Sequence, residues 1–344
     1  MIETTKHPVE ELHRIGQFLL DSNESNEIAS VLELHNFYDQ FLYNHHYDKS
    51  DSKDIFLEHG VALSTDNAAD CLKDYKRTAR FIKGVHNAIT YTLSKFSKTK
   101  INILYAGCGP YAPLILPLLS FFKTEQISVT LLDVNKDSLN IVGAIISELD
   151  YQNYISEIIT ADATKYKYPK NKSLHLIITE TMFHALTKEP QVAITNNLAP
   201  QLIKGGVLVP EEIKVSLGYS FFSKEPYLNQ YGDEYYISNT EKETKRRIIQ
   251  PLFNISKKDN KDISKNQSFY FESPWQSIPE NYEETPDICI YTQIKVFDRT
   301  TLENEDSLIT NPYCIGSLHN ITERSKFKIK YNIKNIPKWE ISTI

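Results

Sequence analysis

The sequence predicts an α/β fold: a Rossmann-like domain built on a parallel sheet, preceded by helices and followed by an antiparallel β-barrel-like domain. Three observations predict it. Through residues 98–215, continuously apolar strand runs alternate with helical stretches, the pattern of a parallel sheet covered on both faces. Through residues 1–97 the apolar residues recur every three to four positions, the helical period. Residues 216–344 lose that rhythm and alternate apolar with polar, as antiparallel strands with one wet face do.

The N-terminal helices are read from "VEELHRIGQFLL", "EIASVLELHNFYDQFLYNHHY" and "NAADCLKDYKRTARFIKGVHNAITYTLSKF", the third capped by Ser64 or Asp66. The central strands are "INILYAG", "ISVTLLDVN" and "SLHLIITE". Between and after them lie the helical stretches "APLILPLLSFFK", "DSLNIVGAIISELD" and "PQVAITNNLAPQLI". "KGGVLVPEEIKVSL" adds a glycine turn and a further strand. "ICIYTQIKVF" and "KFKIKYNIKN" are antiparallel strands, and residues 225–247 form a polar insertion. The expected division is a helical region over a ligand site (1–97), the Rossmann-like domain (98–215) and the barrel-like domain (216–344).

Composition narrows the function classes. With 41% apolar residues in 344 the chain can bury a real core, and 24% charged residues with no long single-sign block do not read as disorder. A net charge of −6 argues against a nucleic-acid partner, which calls for a basic surplus. Cys71, Cys108, Cys289 and Cys314 are far apart with no C-x-x-C, so neither a metal site nor a disulfide framework is expected. Charges interrupt the N-terminal apolar residues, and no apolar run reaches the ~18 residues of a membrane span. A soluble cytoplasmic protein without membrane contact is expected.

"ILYAGCGPYAP" is a strand, then Gly107, Cys108 and Gly109, then a helical start. Small residues there let the backbone approach a ligand at the strand's carboxyl end. Asp133 ends the next strand in "LLDVN", where an acid suits ribose hydroxyls. Asp162 and Ala163 in "ITADATKY" follow a third short strand, where a loop would meet an adenine ring. This order suits a dinucleotide or S-adenosylmethionine (SAM). Two glycines without a third, and without a loop to cradle a pyrophosphate, favour SAM.

These motifs resemble class I SAM-dependent methyltransferases, and within them the protein arginine methyltransferases. "GCG" at 107–109 is similar to that family's cofactor loop, and Asp133 stands at its ribose acid. "DYKRT" (74–78) resembles its D-x-x-R-T helix, which implies that Arg77 binds the cofactor carboxylate. "ETMFHALTKE" resembles its paired-glutamate hairpin, with Glu180 and Glu189 nine positions apart and Met182 two after the first. The resemblance covers about residues 55–215 and implies a homodimer, for which the 225–247 insertion is the candidate arm. Tyr105 stands where the family has an acid before the glycines, Thr164 where an acid meets adenine, and Thr181 where it has tryptophan. A second active-site methionine and a T-H-W element are absent.

The paired acids have a chemical rationale. A guanidinium is a poor nucleophile because its charge is delocalised and its pKa exceeds ~12. Two carboxylates can grip it through charge-assisted hydrogen bonds and leave one nitrogen with lone-pair character. The plain alternative for Glu189 is a first-turn helix acid before Pro190; for Arg77 it is a surface helix residue. Met182 is read as a wall of the site. His184 is a candidate base, with simple packing as the other reading. The expected activity is SAM-dependent N-methylation of a guanidino group, with free L-arginine or an arginine-like small molecule favoured as the acceptor. The alternatives are methylation of arginine in a protein or peptide, another small acceptor, or a non-catalytic interaction protein on the same scaffold.

Overall fold

In the computed structural model the described residues are 7–44, 53–231, 234–240, 246–257, 269–278, 286–321 and 324–344. The chain begins with helices α1 (Pro8–Asp21) and α2 (Glu27–Asn44), a short antiparallel pair β1 (Ile55–Leu57) and β2 (Gly60–Ala62), and helices α3 (Thr65–Asp70) and α4 (Tyr75–Lys95). In α1, Pro8 occupies the first turn, where its missing N–H costs nothing, and Leu12, Ile15 and Leu19 form the buried stripe. Ser64 caps α3 by accepting the N–H of Asn67. The long helix expected over 67–96 is broken at Asp74, which starts α4 without capping it.

The parallel sheet follows: β3 (Ile101–Ala106), β4 (Ile127–Asp133), α5 (Lys136–Glu148), β5 (Ile155–Thr160), β6 (Leu176–Thr179), α6 (Gln191–Leu198) and β7 (Val207–Val209). Its strand order is β5-β4-β3-β6-β7, with every neighbour parallel. The chain winds outward from β3 to β5, then returns to the other side of β3. The direction of winding therefore reverses between β3 and β6, and ligands of such sheets bind outside the carboxyl ends of the strands at that point. Asn135 caps α5 by accepting the N–H groups of Asp137 and Ser138.

The rest is antiparallel: β8 (Glu212–Ser220), β9 (Tyr227–Tyr231), β10 (Glu234–Ser238), β11 (Arg247–Ser256), β12 (Tyr270–Glu272), β13 (Gln276–Ser277), β14 (Asp287–Phe297), β15 (Thr300–Leu302), β16 (Tyr313–Ser317), β17 (Lys326–Asn332) and β18 (Lys338–Thr343). One sheet runs β11-β8-β14-β15 with β16 also on β14; another runs β12-β17-β13 with β18 on β17. Phe253 of β11 joins the two, its ring 5.5 Å from Tyr331 of β17 and 5.9 Å from Trp339 of β18. The barrel-like expectation takes the form of two facing sheets closed by aromatic packing.

The N-terminal region is mostly helical, with the β1–β2 pair set between α2 and α3. Two local expectations are corrected. "APLILPLLSFFK" forms only a 3-10 stretch, Leu116–Phe121, since Pro117 lacks the N–H that a longer helix needs. "KGGVLVPEEIKVSL" holds two strands, β7 and β8, in different sheets. Within the 225–247 insertion β9 and β10 form a hairpin, while residues 241–245 lie outside the described residues. One hydrophobic cluster runs through all three regions, from Leu12 through Phe81, Ile103 and Ile290 to Trp339. Among the described residues no helix is long and apolar enough to cross a membrane.

Candidate functional site

A cavity of about 1040 Å³, open mouth included, lies at the carboxyl edge of the parallel sheet. Its lining contains nine of the expected site residues: Arg77, Gly107, Cys108, Gly109, Asp133, Asp162, Ala163, Glu180 and Glu189. Gly107 and Gly109 both take positive φ, at 74° and 59°. A Cβ on Gly107 would stand 2.3 Å from the methyl of Thr181, so glycine is required there on two counts. Thr181 thus covers the glycine loop from the position where tryptophan was expected. Its own N–H and O–H donate to the Gln191 side-chain oxygen at 2.9 and 3.0 Å.

Asp133 closes the loop from β4. One carboxylate oxygen accepts the Gly109 N–H at 2.9 Å and the other that of Asn135 at 2.9 Å. Burial raises its pKa, and these N–H donors oppose the rise. Each oxygen keeps a second lone pair for a hydroxyl. Asp162 accepts the N–H and O–H of Thr164 on one oxygen, at 2.8 and 2.7 Å. Thr164 therefore ties the backbone of this loop to the Asp162 side chain.

At the other end of the cavity two carboxylates flank one guanidinium. Arg77 Nη1 is 3.2 Å from Glu180 Oε2, and Arg77 Nε is 3.9 Å from Asp74 Oδ2. Arg77 Nη2 also donates to the carbonyl of Cys71. Burial works against the charge of Arg77, but Glu180 and Asp74 outweigh it and hold the guanidinium firmly protonated. Asp74 Oδ2 accepts from the Ser307 hydroxyl at 2.7 Å and the Leu308 N–H at 2.9 Å, which ties the site to the segment between β15 and β16. Glu180 follows β6; burial raises its pKa and Arg77 opposes the rise. Glu180 Oε1 and Asp74 Oδ1 are buried and have no hydrogen-bond partner among the described residues. Burial, then the neighbouring charge of Glu180, pushes the Glu189 carboxyl up to about 8. Glu189 is half-buried and is among the residues that line the cavity.

The hairpin between the two glutamates is pinned from outside. Ala185, Leu186 and Lys188 take positive φ, so its backbone needs external support. The Trp339 indole N–H donates to the Ala185 carbonyl at 2.9 Å and the Tyr331 hydroxyl to that of Leu186 at 2.7 Å. The β1–β2 pair straps over the Glu189 end, where the Val61 N–H donates to the Lys188 carbonyl at 2.9 Å. Gly60, at φ 145°, fits because a Cβ would meet backbone atoms of Lys188 and Pro190 at 2.8 Å.

Two expected residues lie outside the lining. Met182 is buried in the main hydrophobic cluster and is not among the cavity-lining residues. His184 packs its ring 4.1 Å from Phe183 and 5.0 Å from Tyr313. Burial, then Lys188, lowers it to about 4, which makes it a poor base at neutral pH. Sequence reasoning missed Asp74 as a third acid, Tyr105 as a wall, and the strap. Asp74 was in view within "DYKRT"; nothing in the short β1 and β2 segments marks them as a roof.

No family model matches this chain, and no curated protein matches it. Among solved structures it is similar to a chain of the Trypanosoma brucei PRMT1 enzyme–prozyme heterotetrameric complex with AdoHcy: TM-score 0.49, 11% identity, over 80% of this chain and 91% of that one. It is also similar to PRMT6 solved with SAH: TM-score 0.48, 9% identity, over 78% of this chain and 96% of that one.

Proposed function

We propose that this chain is a SAM-dependent N-methyltransferase acting on a guanidino group. One observation carries the reading: Glu180 and Glu189, nine residues apart, line one cavity with the glycine loop, and with Asp74 they outnumber the single cation Arg77. Such a site is electrostatically short of a second cation. Glu180 Oε1, buried without a partner, is a free acceptor for it.

The residues present fit SAM. The glycine loop admits a close ligand, since a Cβ on Gly109 would meet only Ala68, at 3.7 Å. Gly107, Cys108 and Gly109 would face the cofactor's amino-acid portion. Asp133 would take the ribose hydroxyls on its remaining lone pairs, and Asp162 and Ala163 would border the adenine. Arg77 would bind the carboxylate through N–H groups not used on Glu180 or Cys71. When bound, SAM supplies an electrophilic methyl on a sulfonium.

Arg77 holds Glu180 in place, and Glu180 accepts from the acceptor guanidinium. Arrival of that cation favours ionised Glu189, which completes the grip. The carboxylates draw the guanidinium charge toward themselves, so the nitrogen facing the methyl regains nucleophilicity. Glu189, the carboxyl nearest neutrality, takes the proton that this nitrogen loses. Free L-arginine and a protein arginine side chain present the same group. The homodimer implied by the family resemblance belongs to this proposal, with the β9–β10 hairpin and its exposed Tyr236 and Ile237 as the arm.

The test is mass spectrometry of products from enzyme, SAM and a panel of free guanidino compounds and arginine-rich peptides. A methylated guanidino product is expected, and the arm of the panel that yields it identifies the acceptor. Methylation of an amine or hydroxyl alone, or no SAM binding by calorimetry, would refute the reading.

A further inference from the structure

Cys289 and Cys314 are 25 residues apart in sequence and read there as unrelated. The antiparallel register of β14 and β16 sets them directly opposite each other. This depends on an irregularity: Ile288 pairs with Gly316, the next pair is Cys289 with Cys314, and Ile315 is the extra residue. Without that bulge Cys289 would face Ile315. Bulges re-aim side chains in this way. Directly opposed antiparallel residues have Cα atoms roughly 4.5–5.5 Å apart, inside the ~4.4–6.8 Å window of disulfides.

Both cysteines are free thiols, and the Cys314 thiol donates to the Gly316 carbonyl at 3.6 Å. Cys289 is fully buried, while Cys314 is partly exposed. The neighbouring Cys314, then burial, raises the Cys289 thiol, and burial hides its sulfur from an incoming disulfide. The accessible Cys314 sulfur is thus the attacking one and the hidden Cys289 sulfur the resolving partner.

We propose that Cys289 and Cys314 are a reversible thiol–disulfide site that reacts with small disulfides such as oxidised glutathione. The Cys314 thiolate attacks one sulfur of glutathione disulfide, forms a mixed disulfide and releases one glutathione thiolate. The Cys289 sulfur then attacks the Cys314 sulfur, closes the protein disulfide and releases the second glutathione. The two cysteine protons pass to the two leaving thiolates, so two protein thiols are oxidised as one glutathione disulfide is reduced. The closed bond ties β16 to β14 one residue from Tyr313, whose ring lies 5.0 Å from that of His184 in the glutamate hairpin.

The full chain is equilibrated with oxidised glutathione, acid-quenched, alkylated and digested. Peptides carrying Cys289 and Cys314 are expected linked, short of two hydrogens, and separated again by dithiothreitol. C289S is expected to stop at the Cys314–glutathione mixed disulfide, and C314S to leave Cys289 reduced. Separate alkylated Cys289 and Cys314 peptides, or a link to Cys71 or Cys108 instead, would overturn the proposal. On oxidation, hydrogen exchange over residues 183–188 is expected to slow in the native chain and not in C314S. Equal exchange before and after oxidation would overturn the link to the hairpin. None of these readouts uses methyl transfer, so they stand or fall apart from the proposed activity.

Discussion

At the residue scale, Glu189 is the group whose state a ligand would change most. Its carboxyl, pushed up to about 8 from 4.5, is neutral at pH 7 in the empty site. A cation drawn between Glu180 and Glu189 favours the ionised form, so acceptor binding at pH 7 should release a proton. Calorimetry in buffers of different protonation enthalpy should detect it. Acceptor affinity should rise with pH toward about 8 and then level, and Glu189→Gln should abolish the dependence. The linkage to stability has the opposite sign. Between pH 4.5 and about 8 the folded chain keeps a proton that the unfolded chain has lost. The contribution of this group therefore declines as pH rises through that window, and Glu189→Gln should flatten the decline in chemical denaturation. Glu180→Gln should leave SAM affinity nearly unchanged and lower turnover by about 10²–10³-fold, the cost of losing one group aimed at developing charge.

At the element scale, the site depends on two segments with little regular structure of their own. The glutamate hairpin is held through its carbonyls by Tyr331 and Trp339. Tyr331→Phe strands the Leu186 carbonyl and should cost about 1–3 kcal/mol, the penalty of an unsatisfied buried acceptor. Turnover should fall more than SAM affinity, because Glu180 and Glu189 lose their relative position while the glycine loop does not move. The β1–β2 strap has the reverse dependence, since it needs one residue without a side chain. Gly60→Ala places a Cβ 2.8 Å from backbone, where no rotamer can relieve it. Faster hydrogen exchange across residues 55–62 and weaker acceptor binding are expected.

At the scale of the whole molecule, one hydrophobic cluster joins the N-terminal helices, the parallel sheet and the antiparallel sheets. The site is assembled across that core: Asp74 at the head of α4 is bound by Ser307, 233 residues later. The chain should therefore unfold in one calorimetric transition. SAM at about 100 times its Kd should raise that single transition by roughly 2.7 kcal/mol of stability. Two separated transitions, with only one shifted by SAM, would show the sheets to be energetically independent.

The sequence by itself determined the features that depend on near neighbours. Hydrophobic period marked the helices, the parallel strands and the change to antiparallel strands at about residue 216. The spacing of Gly107, Gly109, Asp133 and Asp162 marked the end of the sheet where the cavity lies, because in a parallel sheet the loops after successive strands gather at one end. The glutamate pair was legible for the same reason, as both ends of one short hairpin. The tertiary structure alone decided what depends on distant chain. It buried Met182 in the common core and set the His184 ring against Tyr313 of β16, both outside the cavity lining. It made Asp74 part of the charge cluster through Ser307, laid the strap over Glu189, and brought Cys289 opposite Cys314 through one bulged residue. Local patterning carries no information on such contacts, because register and packing between remote segments are settled only when the whole core closes.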